Sequence, residues 1–115
     1  MKQIKAFLRP QMLDVVVDEV ERLPGAPGLT VSTVQGFGHR MEGGPAQMTE
    51  RVKLEIVVPD EDVESILELI AERARTGRTG DGKIFVTEVA EAVRIRTRER
   101  GDAAVRPATV RPPED

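Results

Sequence analysis

An α+β sandwich, with two helices packed on one face of an antiparallel sheet, is predicted by three observations on this 115-residue chain. Two segments, Lys2–Arg9 and Val52–Val58, alternate apolar and polar residues with period two. Each is followed by a proline and then by apolar residues at helical spacing. Each helical stretch then meets a glycine-containing stop and a further β-rich run, so the whole pattern occurs twice.

In the first half, Ile4, Ala6 and Leu8 share one strand face while Gln3, Lys5, Phe7 and Arg9 share the other. Pro10 opens a helix in which Leu13, Val16, Val17 and Val20 form a stripe, and the stretch from Leu23 to Gly28 ends it. Leu29–Gln35 reads as the second strand and runs into Gly36-Phe37-Gly38. In the second half, Val52, Leu54, Ile56 and Val58 alternate with Lys53, Glu55 and Val57. Pro59 closes that strand, Asp60 is placed to cap a helix with Glu61 and Asp62 in its first turn, and Val63, Ile66, Leu67 and Ile70 form its stripe. Lys83–Val89 and Ala92–Thr97 read as strands. The order β-α-β, loop, β-α-β is the ferredoxin-like double βαβ arrangement.

The length fits one domain with one modest core. Residues 1–97 form the predicted core, containing a central loop from His39 to Arg51, and 98–115 a polar, proline-containing tail. With three Phe and neither Trp nor Tyr, the core must rest on Val, Ile and Leu. Phe7, Val57 and Phe85 fall in the opposite phase to the core residues, so the second sheet face is expected to be covered by neighbouring subunits. Seventeen Lys and Arg against twenty Asp and Glu give a net charge of -3, which speaks against a bulk nucleic-acid binder. There is no cysteine for a disulfide or thiolate site. No apolar run is long enough to span a bilayer, and a cytoplasmic protein without membrane insertion is expected.

The chemistry concentrates in Thr76-Gly77-Arg78-Thr79-Gly80-Asp81-Gly82-Lys83. Glycines let the backbone enter conformations closed to other residues and leave peptide N–H groups accessible to an anion. Lys83 adds a point charge at the start of a strand. The spacing is not that of a Walker A loop. Asp81, between two glycines, reads as a turn cap rather than a base. Arg94 and Arg96, two apart on a predicted strand, would leave one face together while Val93 and Ile95 enter the core. Converging with Lys83, they would suit a polyphosphate; the competing reading pairs them with carboxylates such as Glu88 or Glu91. His39 is the only histidine, and nothing is evidently placed to activate water, so neither a catalytic residue nor a metal site is assigned.

In order and spacing, these signals resemble the PII signal-transduction proteins, also called nitrogen regulatory protein P-II. The resemblance rests on Lys2-Gln3-Ile4 with Pro10 to Leu13, Gly28-Leu29-Thr30-Val31, Gly36-Phe37-Gly38, Val52 to Asp60, Thr76 to Val86, and Arg94 to Thr97, and covers about residues 1–106. It implies a homotrimer binding ADP or ATP, and AMP as a further candidate, in clefts between subunits. By the family pattern Gly80, Asp81, Gly82 and Lys83 would hold phosphates, reached by Arg94 and Arg96 across the cleft. Gly28, Thr30 and Val57 would line the adenosine side. Gly36, Phe37 and Gly38, with His39 and Arg40, would join the site at the base of the regulatory loop. Met41, Glu42, Gly43, Gly44, Met48 and Arg51 would belong to that loop, which docks on a target enzyme, transporter or regulator.

The departures from the family are specific. The loop from His39 to Arg51 is several residues shorter than usual, contains no Ser, and belongs to a chain without the Tyr that many members expose for uridylylation. Arg40 stands where usual members have the glutamine that helps hold magnesium and 2-oxoglutarate. A guanidinium cannot ligate a cation, which argues against 2-oxoglutarate binding through magnesium. The expected protein is a short-loop PII-like regulator, with nitrogen regulation as the family's implied setting and magnesium left open. The alternative is a metal- or small-anion-sensing trimer resembling divalent-cation tolerance proteins, with His39, Met41, Glu42 and Met48 as candidate ligands.

Overall fold

The computed structural model describes residues 1–37 and 47–107. Strand β1 (Lys2–Leu8) leads through a 3-10 turn at Pro10–Met12 into helix α1 (Leu13–Glu21), and β2 (Thr30–Phe37) follows. Strand β3 (Met48–Val58) passes through a second 3-10 turn, Asp60–Asp62, into α2 (Val63–Ala74), and β4 (Gly82–Glu88) completes the sheet. The strand order is β2-β3-β1-β4, and every neighbouring pair is antiparallel. That is the ferredoxin-like α+β topology the alternating patterns predict.

Alternation decides which face is core. Ile4, Ala6 and Leu8 of β1 and Val52, Leu54, Ile56 and Val58 of β3 are buried, and they pack with Val16 and Val20 of α1 and Ile66, Ile70 and Ala74 of α2. Leu13 and Val17 flank the α1 stripe and are only half-buried. On the outer face Phe7 and Phe85 meet edge to face, with ring centroids 6.2 Å apart, yet Phe85 remains 51% exposed. The helices cover one side of the sheet and leave an apolar pair on the other. Among the described residues no helix is long and apolar enough to cross a membrane.

Four expectations need correction. Met48 and Arg51, assigned to the central loop, lie in β3, because the β2–β3 ladder continues as far as the Phe37–Met48 pair. Asp60 provides no side-chain cap for α2; its carboxylate accepts a hydrogen bond from Lys2 Nζ at 3.0 Å. Ala92–Thr97 is not a strand. β4 ends opposite Lys2, so the chain beyond it has outrun its partner β1. It makes one bridge, Val93 with Arg100, and turns through Ile95–Thr97. Val93 and Ile95 therefore do not enter this chain's core, and Ile95 is 94% exposed. Finally, the chain beyond Thr97 folds back. Gly101 N donates to Ala92 O at 3.0 Å and a one-turn helix, α3 (Asp102–Val105), follows.

Candidate functional site

The outer sheet face carries two clusters at opposite ends. Phe7 pairs with Lys83 at one end and Gln3 with Val57 at the other, about 13 Å apart along β1 at the usual strand rise.

At the first end the glycine-rich loop is held by Asp81. Its carboxylate accepts from the backbone N–H of Thr76 at 2.8 Å, that of Gly77 at 2.9 Å, and the Thr76 hydroxyl. These bonds, the Thr76 hydroxyl foremost, hold the Asp81 carboxyl well below the usual aspartate range. Asp81 is therefore a turn cap, as its flanking glycines suggest. Gly82 has φ +108°, and a Cβ there would sit 1.8 Å from the Phe7 carbonyl oxygen, so only glycine lets β4 close on β1. Gly80 has φ +97° and lies between two guanidinium groups, its Cβ direction meeting Arg51 Nη2 at 3.2 Å and Arg9 Nη2 at 3.3 Å. Among the described residues Thr79 and Gly80 direct their N–H groups to no protein acceptor, and neither Lys83 nor Arg51 is in an ion pair. The result is a rim of donors and two uncompensated cations, the chemistry of an anion site.

At the second end Gly28, Thr30 and Val57 do come together. They line a cavity of about 340 Å³ with Gln3, Glu55, Ala104 and Val105. Gln3 donates to Glu55 at 2.9 Å, which sets a polar pair beside apolar Val57 and Val105 in the same lining. Such a lining offers both hydrogen-bonding and apolar contacts to a small ligand. Arg94 lies at this end as well. Its Nη2 donates to the carbonyls of Ala103 at 3.2 Å, Ala104 at 3.3 Å and Arg106, and Nη1 lies 3.7 Å from Glu99. Arg106 in turn pairs with Glu61 beside α2.

Several expectations are thereby corrected. Lys83 and Arg94 do not converge within one chain, since Lys83 opens β4 and Arg94 lies beyond its far end. Arg94 and Arg96 do not share a strand face, because that strand is absent and Arg96 sits exposed in a turn. Nor do they pair with Glu88 or Glu91, which are engaged by Lys2 and Arg100. Phe37 ends β2, 68% exposed, with Gly36 half-buried beside it. Gly38, His39, Arg40, Met41, Glu42, Gly43 and Gly44 lie outside the described residues. Among the described residues no group of three His, Cys, Asp or Glu is placed to hold a metal.

Arg9 escaped the sequence reading. It donates from Nε to Asp81 at 3.1 Å and from Nη2 to the Thr79 carbonyl at 2.8 Å. Its partners lie 70 and 72 residues away, so no local pattern announces them. Gln3, Glu55, Ala104 and Val105 were missed for the same reason.

Comparison with known proteins agrees with this layout. The family model described as nitrogen regulatory protein P-II matches residues 1–99. The chain is similar to the nitrogen regulatory protein P-II of Haemophilus influenzae, 44% identical over 91% of this chain and 100% of the relative. It is also similar to nitrogen regulatory protein P-II 1 of Methanothermobacter thermautotrophicus, 45% identical over 91% and 97%. Among solved structures, Arabidopsis thaliana PII bound to citrate superposes with a TM-score of 0.78, at 43% identity and 90% coverage of both chains. With its motifs, its topology and these relatives in agreement, the chain belongs to the nitrogen regulatory protein P-II family.

Proposed function

We propose that this chain is a signalling regulator, not an enzyme, that binds an adenine nucleotide, ADP or ATP, between subunits of a homotrimer. The observation that carries the reading is the division of the site. The donor-rich loop with Lys83 and Arg51 stands at one end of the outer sheet face, and the mixed cavity with Arg94 stands at the other. A phosphate group suits the first and an adenosine the second, and a neighbouring copy packed on the exposed apolar face would bring one chain's loop to another's cavity. Phe85 and Ile95, exposed in the single chain, are the residues such packing would cover. The Arabidopsis relative holds citrate, a small polyanion, which accords with a family site for anionic ligands. The target, an enzyme, transporter or regulator, would be contacted through the segment between β2 and β3, and ligand binding would be coupled to that contact through its differential affinity for the two states.

Calorimetric titration with ADP, ATP and AMP, with and without magnesium and 2-oxoglutarate, tests this directly. One nucleotide per chain and a trimer in solution are expected, with little effect of 2-oxoglutarate. Lys83→Ala should weaken ADP by about 1.5–3 kcal/mol, the range for a charge-assisted hydrogen bond. Unchanged affinity with an intact fold would show that Lys83 is only a surface charge.

A further inference from the structure

We infer that Arg9 is a positioning residue of the glycine-rich loop, turning the loop's own negative groups away from the face that receives an anion. The inference rests on the phosphate reading of that loop and adds a residue from outside it. Two groups in the loop would repel a phosphate: the Asp81 carboxylate and the Thr79 carbonyl, both adjacent to Gly80. Arg9 engages both, through Nε at 3.1 Å and Nη2 at 2.8 Å. A guanidinium can do this because its donors diverge at fixed angles, whereas an ammonium concentrates its charge at one point. Arg9 is placed for the task by β1, whose last residue, Leu8, pairs with Gly82. The side chain is only 18% exposed, against 24% for Asp81, so the pair is shielded from solvent.

The consequence is a separation of charge. Arg9 is neutralised by Asp81, which leaves Arg51, its Nη2 3.2 Å from the Gly80 Cβ direction, and Lys83 as the cations not answered by the loop's carboxylate. With the Thr79 carbonyl held by Arg9, the N–H groups of Thr79 and Gly80 and the Arg51 charge dominate the rim. Arg9 thus acts through the loop and not on the ligand.

The test uses the full chain with Arg9→Ala and Arg9→Lys, and two readouts. In ligand-free protein, amide exchange across 76–82 should speed at least about fivefold in Arg9→Ala, while β3 is unaffected, since the opened bonds are local. ADP affinity should fall about tenfold, because binding must then also order the loop that Arg9 had held. Arg9→Lys keeps the charge and tolerates folding if the alanine variant does not. It should recover less than half of the lost affinity on a logarithmic scale, because one ammonium cannot replace the fork. Full recovery by lysine would overturn the inference in favour of plain electrostatics, and unchanged loop exchange would overturn it outright. Failure of the unaltered protein to bind ADP would sink the nucleotide reading, while the exchange measurement would still decide whether Arg9 orders the loop.

Discussion

The glycine-rich loop, with three charged residues from Thr76 to Lys83, and the C-terminal segment, with seven from Arg94 to Arg106, use their charges in opposite ways. In the loop, carboxylate and guanidinium draw inward on each other, leaving N–H groups and cations at the surface. In the segment from Arg94 to Arg106, Nη2 of the central guanidinium is occupied by the chain's own carbonyls and Nη1 lies 3.7 Å from Glu99. On the proposed nucleotide reading, the first region is preorganised for an anion. The second is a self-satisfied fold-back that must release or share Arg94 if that residue is to grip a phosphate bidentately. If the proposed nucleotide binds, the second half is the one that must rearrange, because Arg94 has carbonyl partners to give up.

The largest effect is expected at Gly82. An alanine Cβ would meet the Phe7 carbonyl oxygen at 1.8 Å in a backbone conformation hostile to L-residues. Neither backbone can yield without parting β4 from β1, so Gly82→Ala should cost more than about 4 kcal/mol, the level reached only by severe steric or strain mechanisms. Chemical denaturation measures this. A loss below about 1 kcal/mol would mean that the start of β4 is not fixed as described, and the loop would lose its claim to preorganisation.

The next effect is smaller and falls on the other region. Arg94→Ala removes the donor shared by the carbonyls of Ala103, Ala104 and Arg106. These lie near solvent, so water replaces part of the loss and about 1–2 kcal/mol of stability is expected. Amide exchange in 101–106 should approach that of an unfolded segment while the 76–82 loop is unchanged. If both regions loosened together, the two halves would be one cooperative unit.

How much of this was legible follows from the range of each interaction. The strand faces and helix stripes were readable because Ile4, Ala6 and Leu8, or Val63, Ile66 and Ile70, state their periodicity within a few residues. The Asp81 cap was readable because its acceptors serve Thr76 and Gly77, within five residues. Arg9 was not, because a terminal strand residue gives no sign of an acid in a loop after the second helix. The misread strand at Ala92–Thr97 is instructive in another way. Its alternation of Val93 and Ile95 with Arg94 and Arg96 is real, but a strand needs an edge to pair with, and β1 has already ended. The sequence pattern anticipates apolar cover for Ile95 that the single chain does not provide. Asp60 shows the converse, where a suitable capping residue was diverted to Lys2 by the way β1 begins.

The smallest effect separates the two regions by pH. Asp81 has its folded pKa depressed, above all by the Thr76 hydroxyl bond and further by the N–H groups of Thr76 and Gly77 and by Arg9. A depressed carboxyl stabilises the folded form fully above its unfolded value, about 3.9, and loses that contribution as pH falls toward the folded value. Loop 76–82 should therefore begin to open as pH drops below about 4, an onset set by the same unfolded value. In the C-terminal segment the outer tie also titrates. Glu61 is lowered by its own backbone N–H and then by Arg106, so the Arg106 contact weakens in the same direction as acid is added. The Arg94-to-carbonyl bonds involve no titrating acceptor and should persist. Exchange measured on both peptides from pH 6 to pH 2.5 should show the loop losing protection first, with residues 101–106 lagging. Asp81→Asn should flatten the loop's profile, because an amide keeps an acceptor but has no charge to lose. If the unaltered loop shows no acid sensitivity, its order comes from glycine geometry and strand pairing alone, and Asp81 would be a bystander in the site it caps.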